Sequence, residues 1–279
     1  MSRPTVIFVG DRERPEFIGP LRWLVQQACV SFAADLQCAA AVAETAQEPP
    51  VLFVVAQARP GEHSPGHFDA LRSAAPLAPI VCMLGGHCES EGRTGKPWPG
   101  ALRVHAHQFI ARVGRQFERR ERQGAFGWAI PFTMTDEDRL LGLSADCECR
   151  VVARVAVFAD RRETASVLGD LLRQAGCTVV DQLEVAEIAT GDAADVAIWD
   201  CQGDFAASRP SFERLVDRWP HTAKVVLIGF PRVADRAATL DCGAAAVVSK
   251  PFLMEDLLWR IRQCLIRSLA ELSPLPPIA

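Results

Sequence analysis

The apolar residues of this chain are grouped into short unbroken runs, and a polar turn or a charged residue follows most of them. The clearest run covers residues 196–199, and Asp200 directly follows it. Runs of this kind are typical of parallel strands that helices cover on both faces. They alternate with amphipathic stretches in both halves of the chain. This alternation predicts an α/β protein with two doubly wound domains, each built on a five-stranded parallel sheet with five helices.

The same patterns predict where the elements lie. The candidate strands cover residues 5–9, 51–55, 80–84, 101–104, 151–158, 177–180, 195–200, 224–228 and 244–248, and remnants of another strand precede a short helix within residues 32–46. The clearer helices are expected at residues 107–122, 161–175, 212–218, 233–240 and 255–269, with a short one through Val185 and Ile188. Pro15 favours a helix start, while Pro20 predicts a late or kinked start. The predicted helix over residues 161–175 is expected to carry Val167, Leu168, Leu171 and Leu172 on one buried face.

Residues 124–150 interrupt the alternation of strands and helices. They hold several glycines and an acidic cluster, so we interpret them as a linker between domains over residues 1–123 and 151–270. Four apolar residues alternate within this stretch: Phe126, Trp128, Ile130 and Phe132. Alternation predicts a half-buried strand or a strap packed on one domain. Residues 271–279 are rich in proline, and we expect a disordered tail there.

Composition narrows the functional class. A length of 279 residues fits two domains of ordinary size. A net charge of −4 gives no indication of a nucleic-acid partner. No signal peptide precedes the first strand, and no apolar stretch approaches the roughly 18 residues of a membrane span, so we expect a cytoplasmic protein without a membrane partner. The ten cysteines are expected to be reduced, since several lie in or beside apolar runs.

Three predicted strands of the second half end on or beside a charged residue, namely Asp160, Asp200 and Lys250. Because ligands bind beyond the carboxyl ends of parallel strands, we expect these side chains to meet at one edge of one sheet. An aspartate can accept a phosphoryl group as a nucleophile, and a lysine can neutralise charge on the phosphoryl oxygens. Two carboxylates also suit Mg²⁺.

This arrangement resembles the receiver domain of response regulators, the CheY-like family, over about residues 154–266. Asp200 matches the phosphoacceptor, Asp160 matches one acid of the pair after the first strand, and Lys250-Pro251 matches the pair after the fifth strand. The resemblance implies Mg²⁺ held by Asp160, Asp200 and the backbone carbonyl of Gln202. Asp200 alone could instead cap the helix after its strand, but the matching positions of the other residues disfavour this alternative.

The chain also departs from the family's pattern at three positions. Ala159 stands where the second acid of the pair would be, Gly229 replaces the usual Thr or Ser, and Val247 replaces the aromatic switch residue. These changes predict a site that accepts a phosphoryl group but transmits the event poorly to the rest of the domain.

The first half resembles the family only in outline. Its predicted order of strands and helices repeats that of the second half, with Ala56 at the position of Asp200 and His105 near that of Lys250. We interpret the two halves as a duplicated domain. The first copy is expected to be degenerate, to bind no metal and to serve for interaction.

The resemblance implies a regulator or scaffold of two-component signalling (a phosphorelay) that is not itself an enzyme. The implied partners are a histidine kinase or phosphotransfer protein and a target protein, and a homodimer is compatible with this role. The main alternative is a pseudo-receiver that binds partners and is never phosphorylated. A flavodoxin-like enzyme would need a phosphate-binding loop after the first strand, where Arg161, Arg162 and Glu163 are too bulky and charged.

Three further features favour ordinary surface roles. Five histidines and a cysteine of the first half match no zinc-ligand spacing, and we expect solvated loop side chains at His63, His67, His87, His105 and His107, with Cys88 nearby. Residues 92–96 are similar to a phosphate-binding loop, but Pro97 stands where such a loop has Ser or Thr after its lysine. The basic run over residues 112–122 includes Glu118 and Glu121, which predicts a solvated helix face with ion pairs.

Overall fold

The computed structural model describes residues 3–88, 98, 100–128, 150–184 and 194–272. The chain divides into two compact units, Met1–Asp146 and Cys147–Ala279. This division falls inside the stretch that the sequence predicts as a linker, although the exact domain boundaries stay a prediction. Residues 129–149, the predicted helix through Val185 and Ile188, and residues 273–279 lie outside the described part.

In the described part of the first unit, five strands alternate with four α-helices. The strands are β1 (Thr5–Val9), β2 (Cys29–Ala33), β3 (Leu52–Gln57), β4 (Ile80–Leu84) and β5 (Ala101–His105). The helices are α1 (Pro15–Gln27), α2 (Leu36–Thr45), α3 (Pro65–Ala74) and α4 (Ala106–Gln123). The strands pair in parallel in the order β2-β1-β3-β4-β5. This is the order of flavodoxin-like doubly wound sheets.

The described part of the second unit repeats this plan. Its strands are β6 (Arg154–Ala159), β7 (Thr178–Glu184), β8 (Val196–Asp200), β9 (Ala223–Gly229) and β10 (Ala246–Lys250). Its helices are α5 (Arg162–Gln174), α6 (Phe205–Arg218), α7 (Val233–Asp241) and α8 (Met254–Leu272). Its strand order is β7-β6-β8-β9-β10, which corresponds strand by strand to the order β2-β1-β3-β4-β5 of the first sheet. All pairs are parallel. The predicted fold class and the shared strand order are therefore confirmed.

The central strand β8 shows why its apolar run is unbroken. Val196 and Ile198 face a core cluster that includes residues of α5 and α8, whereas Trp199 faces a second cluster with residues of α6. The Trp199 ring contacts the Phe212 ring edge-on, with centroids 5.6 Å apart. Each such buried side chain stabilises the fold by about 1.5–3 kcal/mol. Packing on both faces therefore fixes the position of the last strand residue, Asp200.

The start of α6 differs from the prediction, since the helix begins at Phe205 and not at residue 212. The Asp204 side chain accepts a hydrogen bond from the Ala206 backbone N–H at 3.0 Å, which satisfies one unpaired donor at the helix start. The rings of Phe205 and Phe212 lie 5.7 Å apart and are both buried. This packing holds the first turns in helical form even though Pro210 lies inside the helix.

The prediction of the buried face of α5 is correct for two of its four residues. Leu168 and Leu172 are buried, but Val167 is 59% exposed and Leu171 is 40% exposed. At 3.6 residues per turn, the residue that precedes a core position lies about 100° away around the helix. The core-facing stripe of this helix is therefore narrower than the apolar run.

Several other boundaries also differ. Helix α1 begins at Pro15 and continues through Pro20, because Phe17, Pro20 and Leu24 share one buried face whose packing outweighs the lost hydrogen bond. Strand β6 begins at residue 154, three residues later than predicted. Helix α8 continues to residue 272, so the first two residues of the predicted tail are helical.

Two residues of the predicted linker pack on the first unit. Phe126 and Trp128 are buried in the same core cluster as Phe117 of α4, and the Phe117 and Phe126 rings meet edge-on at 5.3 Å. Between them, the Gly127 backbone N–H donates to Gln116 Oε1 at 2.8 Å. The strap interpretation is confirmed for these two aromatic residues.

The structure also bears on the cysteines and on the membrane question. The cysteines within the described ranges are all free thiols. Among the described helices, none is both long enough and apolar enough to cross a membrane.

Candidate functional site

The carboxyl end of the second sheet carries the three charged residues that the sequence singled out. Asp200 ends β8, Lys250 ends β10, and Asp160 directly follows β6. Ala159 is the register partner of Asp200, so Asp160 lies one residue beyond that level on the neighbouring strand. The prediction that these residues converge at one end of one sheet is confirmed.

The Asp200 carboxylate is buried, with only 3% of its side chain exposed, and both of its oxygens accept hydrogen bonds. Lys250 Nζ donates to Oδ1 at 2.7 Å, and Gln202 Nε2 donates to Oδ2 at 2.6 Å. Lys250 Nζ also donates to the Cys201 carbonyl at 2.9 Å. A buried carboxylate is costly unless it is paired with a cation and hydrogen-bonded. The lysine and the amide together meet this requirement.

The strand continues its ladder past Asp200, which fixes the turn that presents it. The Cys201 backbone N–H donates to the Leu227 carbonyl at 2.9 Å, and Gly203 then reverses the chain with a φ of +71°. The N-terminus of the following helix α6 is capped by Asp204. The alternative in which Asp200 serves only as a helix cap is therefore wrong.

Asp160 is exposed and makes no hydrogen bond or ion pair to any residue in the described ranges. It still acts electrostatically on the site through Cys201. Burial raises the pKa of the Cys201 thiol, and the negative charges of Asp200 and Asp160 raise that pKa further, whereas Ser208 and Lys250 lower it. By strand register, Asp160 lies beside the strand end that carries Asp200, and its side chain is exposed.

The chemistry of these side chains fits Mg²⁺, which takes oxygen ligands from one or two carboxylates and keeps several waters. Asp160 and Asp200 supply two carboxylates from neighbouring strands. Within the described ranges, no group of three or more His, Cys, Asp or Glu residues could hold a metal ion. A cation bound here would therefore keep much of its water shell. The assigned role of the Gln202 backbone carbonyl stays a prediction.

The departures from the receiver pattern are all visible around the carboxylate–lysine pair. Ala159 is fully buried in the core cluster beneath the site, and Val247 is 2% exposed in the opposite cluster. Gly229 is the register partner of Lys250, and a Cβ added to it would meet no atom within 4 Å. The site thus has a carboxylate and a lysine, but neither a hydroxyl at position 229 nor an aromatic side chain at position 247.

In the first unit, the position that corresponds to Asp200 is occupied by the buried residue Ala56. Ala56 is 1% exposed, and its carbonyl oxygen lies 2.9 Å from a ring nitrogen of His63. Gly10 has a φ of +106°, and a Cβ added to it would lie 2.9 Å from the same carbonyl oxygen. His105 ends β5 and stacks on His107, with ring centroids 5.3 Å apart. The first unit therefore presents backbone and rings at the place where the second presents Asp200.

The other sequence features divide between described and undescribed residues. A ring nitrogen of His67 lies 3.3 Å from the Gln37 side-chain amide nitrogen. The His63 and Trp98 rings meet edge-on, with their centroids 6.0 Å apart. Residues 92–96, which are similar to a phosphate loop, lie outside the described ranges. The basic run over residues 112–122 forms part of α4.

Two contacts of the site were not predicted from the sequence. These are the hydrogen bond from the Gln202 side chain to Asp200 and the hydrogen bond from Lys250 to the Cys201 carbonyl. The only sequence signal for them is the short polar turn that ends at Gly203, which allows a side chain two residues after Asp200 to fold back onto it.

Comparisons with solved structures found several similar chains. Solved receiver domains from Clostridium thermocellum and Methanospirillum hungatei are 20% and 19% identical, with TM-scores of 0.36 and 0.37; each match covers 43% of this chain and 98% or 99% of the other. A response regulator from Thermotoga maritima is 20% identical over 42% of this chain and 99% of its own, with a TM-score of 0.36. No protein-family model and no curated protein matches the sequence. Two of these three structures are receiver domains, and the third is a response regulator.

Proposed function

We propose that the second unit is a phosphoacceptor domain of two-component signalling, and that Asp200 accepts the phosphoryl group. The observation that carries this proposal is the 2.7 Å contact between Lys250 Nζ and Asp200 Oδ1 at the carboxyl end of a parallel sheet. A carboxylate at this edge lies where doubly wound folds bind ligands. The lysine beside it supplies the positive charge that a phosphoryl group requires.

The chemistry needs few groups. A carboxylate oxygen of Asp200 attacks phosphorus, the bond from phosphorus to the donor atom breaks, and its electron pair leaves with the donor. Lys250 keeps its charge and neutralises the oxygens of the transferred group. Asp160, Asp200 and the Gln202 backbone carbonyl would hold Mg²⁺, which supplies further neutralisation of the phosphate charge when bound.

The proposed role is that of a regulator or scaffold without enzymatic activity of its own. The donor would be a histidine kinase or a phosphotransfer protein, and a target protein would receive the signal. We assign the first unit a role in interaction, because Ala56 leaves it without a carboxylate at the position of Asp200. Free thiols fit a reducing compartment, so we place the protein in the cytoplasm, and we include a homodimer, but no nucleic acid or membrane, among its proposed assemblies.

A second candidate is a pseudo-receiver that binds partners and is never phosphorylated. The observation that favours it is that both oxygens of Asp200 already accept hydrogen bonds from protein donors. A carboxylate satisfied in this way can serve as a fixed structural ion pair.

Incubation with acetyl phosphate and Mg²⁺, followed by intact mass measurement, separates the two candidates. We expect the wild type to gain the mass of one phosphoryl group and Asp200→Asn to gain none. Asp204→Asn is the matched control, because it makes the same change at an exposed helix cap, where asparagine serves as well as aspartate. If the wild type gains no mass, the pseudo-receiver is the correct assignment.

Asp160 has a separate test through the metal. We expect Asp160→Ala to weaken Mg²⁺ binding, measured by calorimetry without a phosphoryl donor, because one of the two carboxylates is lost. Asp170→Ala is the control, since Asp170 is an exposed acid on α5 that pairs with Arg173. Equal Mg²⁺ affinity in the wild type and Asp160→Ala would exclude Asp160 as a ligand.

A further inference from the structure

The side-chain amide of Gln202 contacts the oxygen of Asp200 that the lysine leaves open. Its Nε2 donates to Oδ2 at 2.6 Å, while Lys250 occupies Oδ1 at 2.7 Å. The Asp200 side chain is 3% exposed, so little water reaches its oxygens. Gln202 itself is exposed, and the turn that carries it ends at Gly203.

Phosphoryl transfer requires both oxygens of this carboxylate. One oxygen forms the new bond to phosphorus, and the other must remain available to a cation. Each oxygen has about two lone-pair sites, so one hydrogen bond does not by itself block it. Because the Asp200 side chain is only 3% exposed, however, phosphorus or a cation can reach the remaining sites only if one of the two donors moves away.

The two donors differ in how readily they can leave. Lys250 is held a second time by the Cys201 carbonyl at 2.9 Å, and its charge is needed at the site. The Gln202 amide is neutral, lies on an exposed side chain and has no second hydrogen bond to the described residues. A change of side-chain rotamer moves it into water, where its N–H groups stay hydrogen-bonded. Gln202 is therefore the donor that costs less to displace.

We propose that Gln202 is a positioning residue that keeps Asp200 closed: its amide competes with the cation for Oδ2, and it must rotate away before the carboxylate is phosphorylated. This inference rests on the proposed phosphoacceptor role of Asp200 but concerns its control. The apparent affinity of the site for Mg²⁺ is the intrinsic affinity reduced by the fraction of molecules in which the amide has left. The same fraction limits the rate of phosphorylation.

Two substitutions test the amide while they leave the backbone carbonyl of residue 202 in place. Gln202→Met keeps nearly the same length without an N–H donor, and Gln202→Ala removes the side chain. The control is Gln174→Ala, which makes the same change at the exposed last residue of α5. Mg²⁺ affinity is measured by calorimetry on the full chain without a phosphoryl donor, and the rate with acetyl phosphate is measured by intact mass.

We expect both Gln202 variants to bind Mg²⁺ about tenfold more tightly and to gain phosphoryl mass about tenfold faster, the effect that one hydrogen bond to a charged group has on an equilibrium. The control is expected to match the wild type. Unchanged Mg²⁺ affinity in both variants overturns the inference. A gain in Gln202→Ala alone also overturns it, because side-chain bulk and not the hydrogen bond would then limit access.

The two proposals fail in different ways. If both variants bind Mg²⁺ more tightly but no protein gains mass, the role of Gln202 holds for the cation and the phosphoacceptor function is wrong. If all proteins gain mass at one rate with one Mg²⁺ affinity, the phosphoacceptor function holds and the role of Gln202 is wrong.

Discussion

Removal of the lysine from the Asp200–Lys250 pair should destabilise the second unit strongly. Lys250→Met eliminates the donors to Asp200 Oδ1 and to the Cys201 carbonyl, and it leaves a carboxylate of 3% exposure with one neutral donor. Loss of one partner from a buried ion pair costs about 3–5 kcal/mol. Because the Lys250 side chain is 28% exposed, water can partly replace it, and we expect a loss near the lower end, about 3 kcal/mol.

A double-mutant cycle isolates the interaction itself. Asp200→Asn removes the charge that needs the lysine. In that background Lys250→Met should cost only about 1 kcal/mol, because the ammonium then donates only to neutral oxygens and its 28% exposure lets water replace these bonds. The resulting coupling energy is about 2 kcal/mol. Hydrogen exchange measured by mass spectrometry on peptides of β8 and β10 gives the opening free energy of this unit within the full chain.

The control cycle uses the surface pair Arg209–Glu213, whose Nε and Oε1 atoms lie 2.8 Å apart with both side chains about half exposed. Exposed pairs of this spacing typically couple by about 0.3–0.5 kcal/mol. A coupling for Asp200–Lys250 no larger than that of the surface pair would refute the argument from burial, because the short distance would then carry no more energy than a solvated contact.

Three further outcomes follow from particular residues. Gly10→Ala should cost about 2 kcal/mol more than Gly61→Ala in urea unfolding, because both glycines have positive φ but only Gly10 would press a Cβ against the Ala56 carbonyl; equal costs would contradict the clash. Burial lowers the pKa of Lys224, so the folded state binds fewer protons than the unfolded one, and stability should rise with pH from that lowered pKa to the ordinary value of 10.5. Lys224→Met should abolish the rise, and a persistent rise would assign it to another group. Gly229→Thr fits the open space and should enlarge the amide spectral change on phosphorylation, which we expect to stay local in the wild type.

The strands and the charged pair could be predicted because apolar runs, and the charged residues at or near their ends, are visible in the sequence. A parallel strand covered on both faces must be apolar along its whole length, as β8 is. A polar residue directly after such a run has to lie at the sheet edge. Asp200 follows from these two facts, and Lys250 lies one residue farther from its apolar run, after Ser249.

The missed features depend on tertiary contacts or on a single dihedral angle. Helix α3 begins with Pro65, Gly66 and His67, residues typical of loops, and only packing of its later apolar residues reveals the helix. The early start of α6 rests on a cap and on contact between two phenylalanines. The Gln202 contact requires the turn at Gly203 and one side-chain rotamer, and neither produces a periodic pattern.

Gly10 and Ala56 restrict how the first unit can vary in sequence. An aspartate at position 56 would be buried against Gly10, and His105, not a lysine, ends β5. A carboxylate restored there by one substitution would lack a cation, and any larger side chain at position 10 would meet the Ala56 carbonyl. Among homologous sequences, these two positions should therefore both stay small or change together, so a return to a charged site would require several simultaneous replacements.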